Sequence, residues 1–115
     1  MTINDIIDRS SNFDQKDKEL IKNNGVVFTD RSICDIIIEQ INPSINDVIC
    51  EPSVGKGAFI FSLLEYFKKK HTILELVDFV ENRLYCFDIN QSFINEFKIL
   101  LFNYFIIQGY DDNPP

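Results

Sequence analysis

The sequence predicts an α/β fold of parallel strands with flanking helices, and three observations carry that prediction. Asp47-Val-Ile-Cys-Glu-Pro-Ser-Val-Gly-Lys-Gly-Ala-Phe-Ile60 reads as a short buried strand, an acidic glycine turn and the opening of a helix. Arg83-Leu-Tyr-Cys-Phe-Asp-Ile89 reads as a second strand, rich in aromatic and branched residues. Helical patterns fall between and after these segments. Alternating β and α units make strands parallel, joined by right-handed crossovers.

The elements follow in order. Residues 1–24 are polar and charged, with a short helix expected over Asp14 to Asn24, ended by Asn23-Asn24-Gly25. Gly25-Val-Val-Phe-Thr29 is an extended approach segment. Asp30 suits the N-cap of a helix over Ser32 to Ile41, which aligns Ile33, Ile36, Ile37 and Ile41 on one face. Asn42-Pro43-Ser44 ends it. Val48 to Cys50 is the first strand, and a helix runs from Ala58 to about Lys70, its basic end complementing the dipole. Residues 71–82 stay open: Thr72 to Val80 fits a helix or a loop with a strand-like middle. Asn90 to Phe105 is the next helix, with Phe93, Phe97, Leu100, Leu101 and Tyr104 at helical spacing. Ile106-Ile107-Gln108 is expected to begin a third strand, before the turn residues Gly109-Tyr-Asp-Asp-Asn-Pro-Pro115.

Composition narrows the function classes. A chain of 115 residues holds one domain at most. Its formal net charge of −7 gains nothing from the phosphate neutralisation that drives DNA binding. No run of about 18 apolar residues offers a membrane span, and the N-terminus lacks the basic start of a secretory signal. Cys34, Cys50 and Cys86 are odd in number, lack C-x-x-C spacing and sit in apolar runs; they read as reduced core cysteines of a cytoplasmic protein. His71, the single histidine, stands beside Lys68-Lys-Lys70 with no ligand cluster, so no metal site is expected.

The glycine turn carries the chemistry. Strand, glycine turn, helix is how open α/β sheets bind nucleotide-like ligands, in the crevice beyond the strand's carboxyl end. Gly55 and Gly57 allow a tight turn and close approach of a ligand. A dinucleotide fingerprint needs a third glycine where Ile60 stands. Glu51, just before the turn, would repel a pyrophosphate and attract a cation such as an ammonium or sulfonium.

Glu51-Pro-Ser-Val-Gly-Lys-Gly-Ala-Phe59 resembles motif I, (D/E)PxxGxGxF, of the amino-group DNA methyltransferases that use S-adenosylmethionine. The rival reading is a glycine turn in some other α/β protein. Gly25-Val-Val-Phe-Thr-Asp30 resembles motif X of the same enzymes, with Asp30 in place of the usual proline. There Thr29 and nearby N–H groups would donate to the methionine carboxylate; the alternative is an ordinary N-cap pair. Leu84-Tyr-Cys-Phe-Asp-Ile-Asn90 resembles motif II, in which the acid, here Asp88, accepts from both ribose hydroxyls. The alternative is a solvated strand-end acid. The spacing from Glu51 exceeds the roughly 20 residues of a short βαβ unit, and the insert lies in residues 71–82.

Asn113-Pro114-Pro115 copies the start of the catalytic motif IV, Asn-Pro-Pro-Tyr/Phe, without the aromatic that stacks on a flipped base. Too few elements separate it from Asp88 for the family fold, and Ile106 to Asp112 is the competing candidate for a third strand with the motif III acid. The resemblance thus implies a partial Rossmann-like S-adenosylmethionine-dependent methyltransferase fold with its C-terminal half absent. Residues 1–24 would be an N-terminal helical, polar segment and residues 25–115 the first half of the methyltransferase domain. It implies cofactor contacts from Thr29, Glu51, Pro52, Ser53, Gly55, Gly57 and Asp88, with Phe59 packed beneath the turn. The cofactor would be S-adenosylmethionine, and the activity that of a DNA adenine-N6 methyltransferase of restriction–modification type, inactive without its other half or a recognition subunit. DNA would be the partner of the complete enzyme. Two alternatives stay open: a fragment of an RNA or protein-glutamine methyltransferase, and a non-catalytic assembly partner.

Overall fold

Five helices and two strands order the described residues, 1–11 and 30–110, of the computed structural model. They are α1 (Ile3–Ser11), α2 (Arg31–Ile41), β1 (Ile49–Glu51), α3 (Ala58–Lys68), α4 (Ile73–Asn82), β2 (Leu84–Cys86) and α5 (Gln91–Ile107). The strands are parallel neighbours, pairing Ile49 with Leu84, Cys50 with Tyr85 and Glu51 with Cys86. Both glycine turn and acid therefore stand at the carboxyl ends of adjacent strands. Among the described residues, no helix is long and apolar enough to cross a membrane.

Helix α3 is the hub. Its Ile60, Phe61, Leu63, Leu64 and Phe67 are all buried. Phe61 meets Phe97 and Tyr104 of α5 at ring-centroid distances of 6.0 and 5.6 Å, and Phe67 meets Phe79 of α4 at 5.1 Å. Tyr104, wholly buried, donates to Glu65 at 2.9 Å, the hydrogen bond its hydroxyl needs so far from water. Burial, then the neighbouring Glu65 charge, raises the pKa of that phenol. Ile6 and Ile7 of α1 complete the core. The sequence reading places its N-terminal helix at 14–24, outside the described residues, and did not anticipate α1.

The open stretch 71–82 is helix α4. Thr72 and Glu75 form a reciprocal capping box, so two amides that the first turn would orphan are satisfied. At its other end Arg83 donates to the Ile45 carbonyl at 2.9 Å and to Asp78 at 2.8 Å, tying the crossover to the segment that enters β1.

Three expectations need correction. The third strand does not begin at Ile106. Helix α5 continues to Ile107, and Gly109 closes it at φ +89°. The Gly109 N–H donates to the Ile106 carbonyl and the Tyr110 N–H to the Phe105 carbonyl, both at 3.0 Å, the paired bonds of a Schellman cap. The apolar pair Ile106-Ile107 reads as a strand locally, but the buried face of Leu101, Tyr104 and Phe105 keeps the chain helical.

The second correction concerns α2. Its buried residues are Cys34 and Ile38, while Ile33, Ile36, Ile37 and Ile41 are exposed. The helix carries two apolar stripes, and only the Cys34–Ile38 stripe packs into the core. Asp30 holds the N-cap position, but its carboxylate takes the Ser32 hydroxyl at 2.8 Å instead of capping an amide.

Third, the cysteines are not all core residues. Cys34 is buried, Cys86 half-buried and Cys50 exposed. Successive strand side chains alternate between faces, and Cys50 and its partner Tyr85 lie on the open face.

Candidate cofactor-binding turns

Both turns are built from the backbone outward. The Phe87 N–H donates to the Glu51 carbonyl and the Val54 N–H to the Phe87 carbonyl, each at 2.9 Å, so the pairing of β1 with β2 continues into the turns. Asp88 then joins them. One carboxylate oxygen accepts from the Gly55 N–H at 2.9 Å, and the other from the Asn90 N–H at 2.8 Å. Charge-assisted bonds of this kind are stronger than neutral ones. The acid of the second turn is thus fixed on the glycine of the first.

Of the residues singled out in the sequence, Glu51, Gly55 and Asp88 are brought together here. Glu51 is half-buried, and its Oε1 accepts from the Ser53 N–H at 3.0 Å across the turn. Pro52 and Ser53 are exposed on the turn. Gly55 adopts φ +58°, left-handed backbone that a glycine takes freely. Phe59 is partly buried against the core. Thr29 and Asn113-Pro114-Pro115 lie outside the described residues.

Gly57 plays a different part from the one expected. It is the N-cap of α3 at φ +100°. A Cβ built there would collide with the Phe97 ring, coming within 2.6 Å of its Cε1, and would reach 3.0 Å from Phe61. Its missing side chain makes room for the α3–α5 aromatic contact. The pattern G-x-G alone does not distinguish these two uses.

Sequence reasoning missed the role of two neighbours. Asn90 caps α5, its side chain accepting from the Phe93 N–H at 3.2 Å, which holds the second turn against the start of the helix. Lys56, between the glycines, is buried, with its Nζ 3.4 Å from Glu96 of α5. The signal for Asn90 was the N-x-x-F start of an apolar helix; nothing local marks Lys56 as buried.

Two acids, Glu51 and Asp88, stand at the turns. Burial, with Glu51 contributing, pushes the Cys86 thiol up to about 12. Burial, with Asp35, Asp30 and more weakly Glu51, pushes Cys34 up to about 11. Both thiols therefore stay protonated at neutral pH, which removes them as nucleophiles. Each Asp88 oxygen has received one N–H and retains a second lone pair, and among the described residues no hydrogen bond uses the second Glu51 oxygen. Acceptors of this kind fit hydroxyl donors and cations and do not fit a pyrophosphate. Two cavities walled by described residues include no residue of the two turns: one of about 150 Å³ between α2 and α3, and one of about 180 Å³ between residues 42–45 and the C-terminal end of α3.

A model of the N-6 DNA methylase family matches residues 11–101, a span that contains both turns. The chain belongs to the N-6 DNA methylase family. Membership makes it part of a methyltransferase family that acts in DNA methylation, and it agrees with the motif I and motif II residues on which the resemblance rested. No solved structure matches the chain.

Proposed function

We propose that this chain binds S-adenosylmethionine at the β1–α3 and β2–α5 turns, as the cofactor half of a Rossmann-like DNA adenine-N6 methyltransferase of restriction–modification type. One observation carries the reading: the Asp88 carboxylate lies on the Gly55 amide at 2.9 Å, which joins an acid with free acceptor capacity to a glycine turn. Asp88 would receive the ribose hydroxyls, and Glu51 would favour the cationic side of the ligand. The first turn of α3 has no side-chain cap, so its amides supply the positive end of the helix dipole at the same turn.

Bound there, S-adenosylmethionine would supply an electrophilic methyl group, which in the complete enzyme an adenine amine attacks. What the residues of this chain contribute is position and a fixed electrostatic setting. A net charge of −7 gains nothing from phosphate neutralisation, so in this reading the chain alone is expected to transfer no methyl group to duplex DNA.

Calorimetry tests the reading. S-adenosylmethionine or its demethylated product should bind and NAD should not. Asp88→Ala should weaken binding by about 1–3 kcal/mol, the cost of leaving buried hydroxyls without acceptors. NAD binding in the absence of either sulfur ligand would refute the proposal. Unchanged affinity in Asp88→Ala would remove Asp88 from the site.

A further inference from the structure

Lys56 is the least expected residue of the glycine turn. It is 6 % exposed, although lysine is almost never fully buried without a partner. It sits between Gly55, whose amide is bound to Asp88, and Gly57, which starts α3. Its ammonium turns toward α5, 3.4 Å from the Glu96 carboxylate and 5.8 Å from the centroid of the Phe93 ring. A fixed positive charge is thereby built into the turn.

That placement has an electrostatic consequence for the ligand proposed above. S-adenosylmethionine carries a positive sulfonium. Its demethylated product carries a neutral thioether and is otherwise the same molecule. A lysine in the turn disfavours the first relative to the second, and a carboxylate beside the lysine offsets that penalty. We propose that the Lys56–Glu96 pair sets the discrimination of this turn between the cationic cofactor and its neutral product. The inference rests on the cofactor reading and deepens it. It gives the pair a use beyond holding α5 against the turn: the balance of the two charges determines how firmly the spent cofactor is retained.

The ratio of two affinities isolates this effect, because a purely structural change weakens both ligands together. Affinities of the full chain for S-adenosylmethionine and for its demethylated product are measured by calorimetry at low salt. Glu96→Gln removes a negative charge beside the ammonium and should lower the affinity for the sulfonium ligand relative to the thioether by about three- to tenfold, the scale of one partly solvent-screened charge. Lys56→Met keeps the buried chain length and should move the ratio the other way. Added salt should shrink both shifts. Glu96 is 45 % exposed, so its variant tests the idea even where Lys56→Met disturbs folding. Equal weakening of both ligands by Glu96→Gln, or an unchanged ratio, overturns the proposal and leaves the pair a structural tie. If neither ligand binds the parent chain, the cofactor reading falls, and this inference falls with it.

Discussion

Helices α2 and α3 are both 11 residues long and both rich in aliphatic side chains, yet the structure treats them differently. Helix α3 buries Ile60, Phe61, Ser62, Leu63, Leu64 and Phe67, so nearly its whole circumference is covered. Helix α2 buries Cys34 and Ile38 and leaves Ile36 and Ile41 55 % and 64 % exposed. The difference lies in position. Helix α3 is surrounded, with α1, α2, α4 and α5 supplying side chains to its several faces, whereas α2 leans on α3 along one stripe. Apolar periodicity marks a face suited to burial. It does not say whether a partner stands opposite. The same contrast recurs within α5, where Phe97, Leu101 and Tyr104 are buried but Ile99 and Phe102 are exposed.

Substitutions can break or sharpen this comparison. The largest effect belongs to the hub. Phe61→Ala should cost about 3–5 kcal/mol in denaturant unfolding, since the ring is wholly buried between Phe97 and Tyr104. A loss below about 1 kcal/mol would mean that α3 is not the centre of the core.

Next comes the turn that starts α3. Gly57→Ala should destabilise by about 1–3 kcal/mol, because a Cβ meets the Phe97 ring and the left-handed backbone is strained. Phe97→Leu in the same chain should recover part of that loss, leaving the backbone term. Strict additivity of the two changes in a double-mutant cycle would show that the ring and the glycine do not share the space.

The smallest effect is expected on α2. Ile36→Ser should change stability by no more than about 0.5 kcal/mol, because the side chain is exposed. A cost near that of Phe61→Ala would show that the outer face of α2 is covered in solution, and would make the two helices alike.

Much of the local structure was legible. The acid, glycines and flanking apolar runs placed the turn, α3 and, one residue early and wrongly as buried, β1, while the pattern of Phe93, Phe97, Leu100, Leu101 and Tyr104 placed α5 with its buried face. Glu51, Gly55 and Asp88 were marked by residue type and by position at strand ends, and backbone pairing of the strands brings them together. Lys56 was not legible as part of the site, since its place depends on α5 lying against the turn, whereas Asn90 caps α5 through a local bond that the N-x-x-F pattern signals. The reason for Gly57 was likewise hidden, because the Phe97 ring it accommodates is 40 residues away in sequence.

What the sequence determined alone is what short-range chemistry can carry: strand-to-turn-to-helix boundaries, glycines where the backbone turns left-handed, and acids at strand ends. Tertiary structure decided the rest. It kept Ile106 and Ile107 helical, left the isoleucine face of α2 in solvent, and assigned Gly57 to a ring from another helix. Burial and steric contact are properties of pairs of elements, so a residue's own neighbours in sequence cannot specify them.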